Sequence, residues 1–362
     1  MYAQAYFDYD SKKSGGVTMS HLRFGKSPIK STYLIHQANF VACHNPSYVD
    51  KYNMVQELVD GGTFLLNCPW DMEGLEKHLP GQVKAYIANH NIKFYTIDGI
   101  KIGKEIGLGG RINTVLQSAF FKLAEIIPEE EAISLMKAAA KATYGRKGDK
   151  IVQMNYDAID AGAKQVVEIE VPESWKDAAD EGLAVPHIDE NGRKDVIDFV
   201  KNIQTKVNAQ EGNSLPVSAF TDYADGSTPS GSSAYEKRGI AVDIPIWQPD
   251  NCIQCNRCAY VCPHAVIRPV ALTEEEAANA PEGMQSIPLI GMPDMKFAIT
   301  VSAYDCTGCG SCANVCPGKK GEKALVMGNM EENAGKQTFF DYGREIPVKP
   351  EVVAKYKETT VK

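Results

Sequence analysis

Eight of the ten cysteines fall into two runs that share one spacing, C-x2-C-x2-C-x3-C-P. The first run holds Cys252, Cys255, Cys258 and Cys262, and the second holds Cys306, Cys309, Cys312 and Cys316. This spacing is typical of proteins that bind two [4Fe-4S] clusters. Three thiolates spaced by two residues can surround one face of a cubane, and the amides of a tight loop offset its negative charge.

The fourth cysteine of each run is expected to bind the cluster of the other run, as it does in two-cluster proteins with this spacing. The sequence therefore predicts one cluster on Cys252, Cys255, Cys258 and Cys316, and a second on Cys306, Cys309, Cys312 and Cys262. Pro263 and Pro317 lack a backbone N–H, so they turn the chain away after each distal ligand. His264 either hydrogen-bonds a nearby cluster or lies at the surface.

Zinc and disulfides are the alternatives for these cysteines. Structural zinc sites usually use two CxxC pairs or mixtures of cysteine and histidine, and neither run offers such a set. Disulfides suit small domains in oxidising compartments. The opening residues 1–16 lack a basic segment followed by an apolar one, so the sequence gives no sign of export.

The composition of the chain disfavours some classes of binding partner. The chain has 362 residues, a formal net charge of −8 and a pI near 5.5, which disfavours nucleic acid as a partner. No apolar run is long enough to span a bilayer, so no membrane contact is predicted. We expect a cytoplasmic protein of two or three domains.

Residues 1–207 are predicted to form an α/β domain with a mainly parallel sheet, because short apolar strands alternate with amphipathic helices. The predicted strands are Ser31–Ala42, Thr63–Asn67 and Lys93–Ile97; the predicted helices are Tyr48–Val59 with Ser47 as N-cap, Asn113–Ile127, and one that begins after Pro128.

Residues 208–239 are rich in Ser, Gly, Thr, Pro and Asp and are predicted to be an extended linker. Residues 240–345 then form an α+β domain of the bacterial two-cluster ferredoxin type, and residues 346–362 form a solvated tail. An insertion at 272–295 separates the two cysteine runs, and Lys296–Ser302 alternates like a strand.

Outside the two cysteine runs, the sequence gives weaker indications of functional residues. Cys43 and Cys68 are each predicted to be small buried side chains, with a redox or catalytic thiol as the minority interpretation. The glycines at 107, 109 and 110, followed by Arg111, precede a helix at Asn113, which suits either a phosphate site or a tight strand-to-helix turn. Residues 14–16 (Ser-Gly-Gly) present a similar case.

Four segments of the chain resemble the pyruvate:ferredoxin (flavodoxin) oxidoreductase family, in the family's own order: Ser14–Ile35, Gly107–Pro128, Tyr235–Trp247 and Asn251–Val270. The resemblance covers essentially the whole chain and identifies it as a central portion of that family. It implies a coenzyme A-associated domain, a connecting segment and a two-cluster domain. It also implies that thiamine diphosphate and Mg2+ are held elsewhere, on further domains or partner chains.

The resemblance implies a role in the reaction pyruvate + CoA + oxidised ferredoxin giving acetyl-CoA + CO2 + reduced ferredoxin. The chain would act as a subunit or fragment that passes electrons through two clusters to ferredoxin or flavodoxin, without a complete catalytic site of its own. Gly15, Gly16, Arg111 and Asn113 are the candidate contacts for CoA. The alternative is an independent two-cluster electron-transfer protein whose first domain serves only for docking.

Overall fold

The computed structural model describes residues 1–10, 16–31, 33–178, 188 and 190–356. The chain divides into two compact units, residues 1–229 and residues 230–362. Ser14 and Gly15, two residues of the predicted glycine loop, lie outside the described residues.

The first unit begins with an antiparallel hairpin of strands β1 (Tyr2–Tyr9) and β2 (Thr18–Gly25), in which Tyr2 lies opposite Gly25. This hairpin is not predicted from the sequence, because the aromatic residues of the first strand do not follow a strict period of two. The ring centre of Phe24 on β2 lies 6.1 Å from that of Phe120, so an aromatic contact with a residue later in the chain anchors the second strand.

A four-stranded sheet forms the centre of this unit, with strands β3 (Ala38–Cys43), β4 (Leu58–Asn67), β5 (Lys93–Ile97) and β6 (Val167–Ile169) in that spatial order. The first three strands are parallel and β6 is antiparallel at the edge. The mainly parallel sheet predicted from the sequence is confirmed. The last four residues of β4 are all buried, as expected for a strand covered on both faces.

The helices of the first unit cover both faces of the sheet. Phe64 and Leu66 pack into one core and Leu65 into another, because alternate side chains of a strand point to opposite faces. The helices are α1 (Met72–His78), α2 (Gly81–Asn89), α3 (Gly99–Ile106), α4 (Asn113–Ala124), α5 (Glu129–Tyr144), α6 (Asp149–Lys164), α7 (Lys194–Phe199) and α8 (Thr205–Asn208), with a π-helical turn at Val200–Gln204.

Most of the predicted elements of this unit are confirmed. The predicted strand Thr63–Asn67 lies within β4, and Lys93–Ile97 coincides with β5. The predicted helix at Asn113 is α4, which ends three residues early because Glu125 adopts a left-handed conformation with a φ of 47°. Helix α5 follows Pro128 as predicted. Its first turn carries three glutamates, whose negative charges are stabilised by the positive end of the helix dipole.

Two predicted elements of the first unit differ from the structure, one in where it begins and one in type. The strand expected at Ser31–Ala42 begins only at Ala38, because the preceding carbonyls of Ser31 and Tyr33 accept hydrogen bonds from the Arg23 guanidinium. The helix expected at Tyr48–Val59 is a 3-10 turn at Pro46–Tyr48 followed by irregular chain.

The error at Tyr48–Val59 has a physical cause. Val49, Val55 and Leu58 are buried in one core, but they reach it from a loop and the start of β4 rather than from one helix face. The helical spacing of these apolar residues therefore indicated that they are buried, but not that they form a helix. The cap of the short turn is Asn45 and not Ser47: the Asn45 side chain accepts a hydrogen bond of 3.1 Å from the Ser47 amide.

The second unit contains two small antiparallel sheets. Strand β7 (Asp243–Trp247) pairs with β11 (Leu325–Asn329), while β10 (Met292–Val301) lies between β8 (Ile267–Leu272) and β9 (Ile287–Leu289). The predicted strand at Lys296 is confirmed within β10. The helices are α9 (Arg257–Val261), α10 (Glu274–Ala278), α11 (Ser311–Val315), α12 (Met330–Asn333), α13 (Gln337–Glu345) and α14 (Pro350–Lys355).

The insertion at 272–295 is ordered by local and distant contacts. Thr273 and Glu276 form a capping box at the start of α10, and Lys349 lies 2.7 Å from the Glu276 carboxylate. The Tyr356 hydroxyl donates a hydrogen bond to the Ile290 carbonyl, so residues 349–356 of the predicted solvated tail contact the insertion. Within the residues that the structure describes, no helix combines the length and apolar character needed to cross a membrane.

Candidate iron-sulfur site

The two cysteine runs adopt the same backbone conformation. Gln254 and Asn256 in the first run and Gly308 and Gly310 in the second all have φ between 55° and 72°. In each loop the amide two residues after the first cysteine donates a hydrogen bond of 3.4 Å to that cysteine's sulfur. Left-handed residues at matching positions turn successive N–H groups into a concave surface that favours an anion.

Short helices place the last two cysteines of each run. Cys258 lies in α9 and Cys312 in α11, while Cys262 and Cys316 are the first residues after these helices. The two helices pack against each other, so the chain that leaves one loop reaches the neighbourhood of the other. The duplicated motif therefore forms one interlocked unit rather than two separate loops.

Two cavities result, each lined by four cysteines taken from both runs. The first, partly open to solvent, is lined by Cys252, Cys255, Cys258 and Cys316. The second, also partly open to solvent, is lined by Cys262, Cys306, Cys309 and Cys312. His264 lies in the wall of the second cavity. These are the same two groups of four that the sequence predicts as ligand sets.

The thiols of both cavities experience strong desolvation. Burial raises the pKa of Cys258 to about 12 and that of Cys312 to about 11. Cys309 is exposed, and a hydrogen bond from the Ser311 amide lowers its pKa. Because metals bind the thiolate form, a bound cluster must displace these protons.

The first cavity also offers an unused hydrogen-bond donor. Trp247 lies in its wall, and the buried indole Nε1 has no hydrogen-bond partner. A buried N–H without a partner is costly, and cluster sulfides accept hydrogen bonds from such donors. The residues of this cavity therefore fit an iron-sulfur cluster both as thiol ligands and as a hydrogen-bonding wall.

Two other observations bear on the alternatives for the cysteines. None of the ten cysteines forms a disulfide. Across the described ranges, no three or more His, Cys, Asp or Glu side chains are arranged to hold a single metal ion.

The glycine loop of the first unit differs from the expected strand-to-helix turn. It connects α3 to α4, since Gly107 follows α3 directly with a φ of 90°. A Cβ on Gly103 would lie 2.6 Å from the Gly109 carbonyl oxygen, so the chain folds back tightly on the preceding helix. Arg111 and Asn113 are both exposed at the start of α4, whereas Gly16 precedes β2 in the hairpin.

Cys43 and Cys68 lie at the carboxyl ends of β3 and β4 and are almost fully buried. Burial raises the pKa of each thiol to about 12, and electrostatic interactions with nearby groups make a smaller contribution to this rise in pKa. Their prediction as buried side chains is confirmed. At such pKa values they are protonated near neutral pH, which disfavours a reactive thiolate.

Several residues that shape the cluster loops carry no recognisable signal in the sequence. The Gln254 side chain is buried; its amide donates to the Pro288 carbonyl and accepts from the Ile290 amide, which joins the first loop to the insertion. Trp247 and Lys237 are two further residues of this kind. The hydrogen-bond partners of Gln254 and Lys237 lie 34 or more residues away along the chain, and the Trp247 indole nitrogen has none, so no local pattern could have identified these residues.

Taken together, the two four-cysteine cavities and their amide loops define the second unit as a two-cluster [4Fe-4S] domain, which follows an α/β domain. Family models agree. Residues 251–320 match a 4Fe-4S dicluster domain, residues 187–241 a domain of unknown function, and residues 1–165 the model described as pyruvate ferredoxin/flavodoxin oxidoreductase. Residues 1–165 of the chain are thus similar to the pyruvate ferredoxin/flavodoxin oxidoreductase family.

Similar proteins include a pyruvate-flavodoxin oxidoreductase of Enterobacter agglomerans, 50% identical over 96% of this chain and 29% of the relative. A pyruvate:ferredoxin oxidoreductase of Moorella thermoacetica is 50% identical over 100% of this chain and 30% of the relative. The chain thus spans about 30% of the length of these relatives. A pyruvate oxidoreductase subunit from Thermotoga maritima aligns with 47% of this chain and 82% of its own at 19% identity and a TM-score of 0.36, too low a similarity to establish a common fold.

Proposed function

We propose that this chain is the electron-relay and CoA-side portion of a pyruvate:ferredoxin oxidoreductase. The proposed overall reaction converts pyruvate, CoA and oxidised ferredoxin into acetyl-CoA, CO2 and reduced ferredoxin. The observation that carries the proposal is the pair of four-cysteine cavities, each built from both runs. The names of the similar full-length proteins supply the substrate and the acceptor, ferredoxin or flavodoxin.

The proposed ligands of the first cluster are Cys252, Cys255, Cys258 and Cys316, and those of the second are Cys306, Cys309, Cys312 and Cys262. When bound, a [4Fe-4S] cluster accepts and donates single electrons. The loop amides and, in the first cavity, the Trp247 indole stabilise negative charge, and the surrounding apolar core limits the access of water. Cysteines without disulfides suit a reducing compartment, and we propose the cytoplasm as the location.

Thiamine diphosphate and Mg2+ are proposed to lie on further domains or partner chains, because the relatives are about three times as long as this chain. This portion then contributes by holding the clusters and by contacting CoA through its first unit. The proposed partners are those thiamine diphosphate-binding domains and a ferredoxin or flavodoxin.

The test is to prepare the chain anaerobically and measure iron, acid-labile sulfide and low-temperature EPR after reduction. We expect about eight irons per chain and the signal of two interacting clusters. Pyruvate should reduce the clusters only after thiamine diphosphate-binding domains of the family are added. A low iron count or bound zinc would contradict the cluster assignment. Failure to form a stable complex with those domains would favour the independent electron carrier.

The proposed CoA contacts are Gly15, Gly16, Arg111 and Asn113, of which Arg111 is the best target for mutation. Its exposed guanidinium at the start of α4 is free to form charge-assisted hydrogen bonds with a phosphate. We expect Arg111→Ala in the assembled enzyme to raise the apparent KM for CoA by about tenfold or more, since such bonds contribute roughly 1.5–3 kcal/mol. The measurement is the CoA dependence of acceptor reduction.

Arg146→Ala is the matched control for this prediction. Arg146 is also exposed in the first unit, in the turn after α5, and carries the same charge. It should leave both the KM for CoA and the cluster spectra unchanged. An equal effect of the two substitutions, or none at Arg111, would exclude a specific role for Arg111.

A further inference from the structure

Lys237 links the segment before the cluster domain to the loop of the second cysteine run. It is the middle residue of Glu236-Lys237-Arg238, which lies in the matched domain of unknown function. The Lys237 ammonium lies 2.6 Å from the Asp305 carboxylate and 3.3 Å from the Ser302 hydroxyl. Asp305 immediately precedes Cys306, the first cysteine of that run.

The residues around this ion pair hold it in a fixed position. Ser302 is fully buried and donates a hydrogen bond of 2.5 Å to the same carboxylate oxygen of Asp305. The Gly239 amide donates to the Tyr304 carbonyl at 2.7 Å, which attaches the backbone after Lys237 to the same strand end. Lys237 itself has a φ of 36°, a strained value that persists only where surrounding contacts compensate for it.

The ion pair is partly shielded from water. The side chains of Lys237 and Asp305 are 24% and 30% exposed, and the ammonium lies 5.6 Å from the centre of the Phe340 ring. A charge in such a place is screened less than one at the surface, so it acts more strongly on neighbouring groups. Arg268 stacks on the same ring at 5.9 Å and adds positive charge nearby.

The first cysteine run has no such pair at the matching position. Asn251 precedes Cys252 as Asp305 precedes Cys306, and its neutral side chain donates to the Lys323 carbonyl at 3.3 Å. The backbone conformations of the two loops are otherwise the same. The charged contact therefore distinguishes one cavity from the other in a duplicated domain.

We propose that Lys237 is a positioning residue that fixes the Cys306 loop and raises the reduction potential of the cluster held by Cys306, Cys309, Cys312 and Cys262. This inference rests on the proposed function, because it requires the two clusters. The ammonium neutralises Asp305 and stabilises the extra electron of the reduced state. The segment 236–239 thereby acquires a role in setting unequal potentials for the two clusters.

The test is an EPR redox titration of Lys237→Met, Lys237→Arg and Asp305→Asn in the full chain. Lys237→Met leaves the Asp305 carboxylate without its ammonium partner, so the midpoint potential of one cluster should fall while the other is unchanged. Lys237→Arg keeps the charge and should keep the wild-type potential. Asp305→Asn removes the negative charge and should shift the same cluster in the opposite direction.

Lys349→Met is the control for a merely structural effect. It removes an ammonium that lies 2.7 Å from the Glu276 carboxylate in the same unit, so it should alter stability without shifting either potential. Unchanged potentials in Lys237→Met, or shifts of the same sign in Lys237→Met and Asp305→Asn, would overturn the inference. If Lys237→Met loses the cluster, retention of the cluster in Lys237→Arg supports the positioning role. The midpoint potential of Asp305→Asn then tests the effect of charge. A wild-type chain without clusters would instead refute the proposed function.

Discussion

Replacing Cys316 with alanine is expected to abolish the cluster whose other ligands are Cys252, Cys255 and Cys258, although Cys316 belongs to the second run. The reason is geometric, because Cys316 lines the cavity of the first run and its sulfur accepts a hydrogen bond of 3.3 Å from the Ala324 amide there. The EPR signal of two interacting reduced clusters should then be replaced by that of one isolated cluster.

Double variants make the ligand sets distinguishable. Cys255→Ala with Cys316→Ala should leave one intact cluster, because both changes affect the same site. Cys309→Ala with Cys316→Ala should leave no intact cluster, because the changes affect different sites. Non-additivity of this kind identifies residues that share one site. The reverse pattern, in which Cys309 and Cys316 behave as one site, would show that each run binds its own cluster.

A methyl group on Gly162 is expected to destabilise the first unit by about 3 kcal/mol, the upper part of the range for overpacked cores. Gly162 is buried in α6, where a Cβ would lie 2.2 Å from the Val115 carbonyl oxygen and 3.0 Å from the Ser118 Cβ. Helices α4 and α6 cannot separate easily, because the Ser118 hydroxyl of α4 donates a hydrogen bond of 2.6 Å to the Ile159 carbonyl of α6. The gain in helix propensity from alanine, roughly 1 kcal/mol, is too small to compensate.

Hydrogen exchange on the full chain would measure this effect, with faster exchange expected in peptides from α4 and α6 of Gly162→Ala. Gly145→Ala is the matched control, since its Cβ would meet no atom within 4 Å and its φ of −54° suits any residue. The cluster content should not change in either variant. Equal exchange in Gly162→Ala and the wild type would mean that the close approach of these helices is not required.

Local signals in the sequence predicted the elements that depend on neighbouring residues. Thr63–Asn67 and Lys93–Ile97 are short apolar runs, and the two strands that contain them lie in the parallel sheet. Pro128 followed by three glutamates marked the start of a helix correctly. The segment Tyr48–Val59 was misread, because its apolar residues are buried from a loop and a strand start.

The sequence by itself determined the chemistry of the second unit, since the spacing of eight cysteines defines how thiolates can surround a cubane. The tertiary structure decided what surrounds those thiolates. It brought the unpartnered indole of Trp247 to one cavity and the Lys237–Asp305 ion pair beside a ligand of the other. Lys237 and Asp305 are 68 residues apart, and contacts between such distant residues arise from chain folding, which no local spacing encodes.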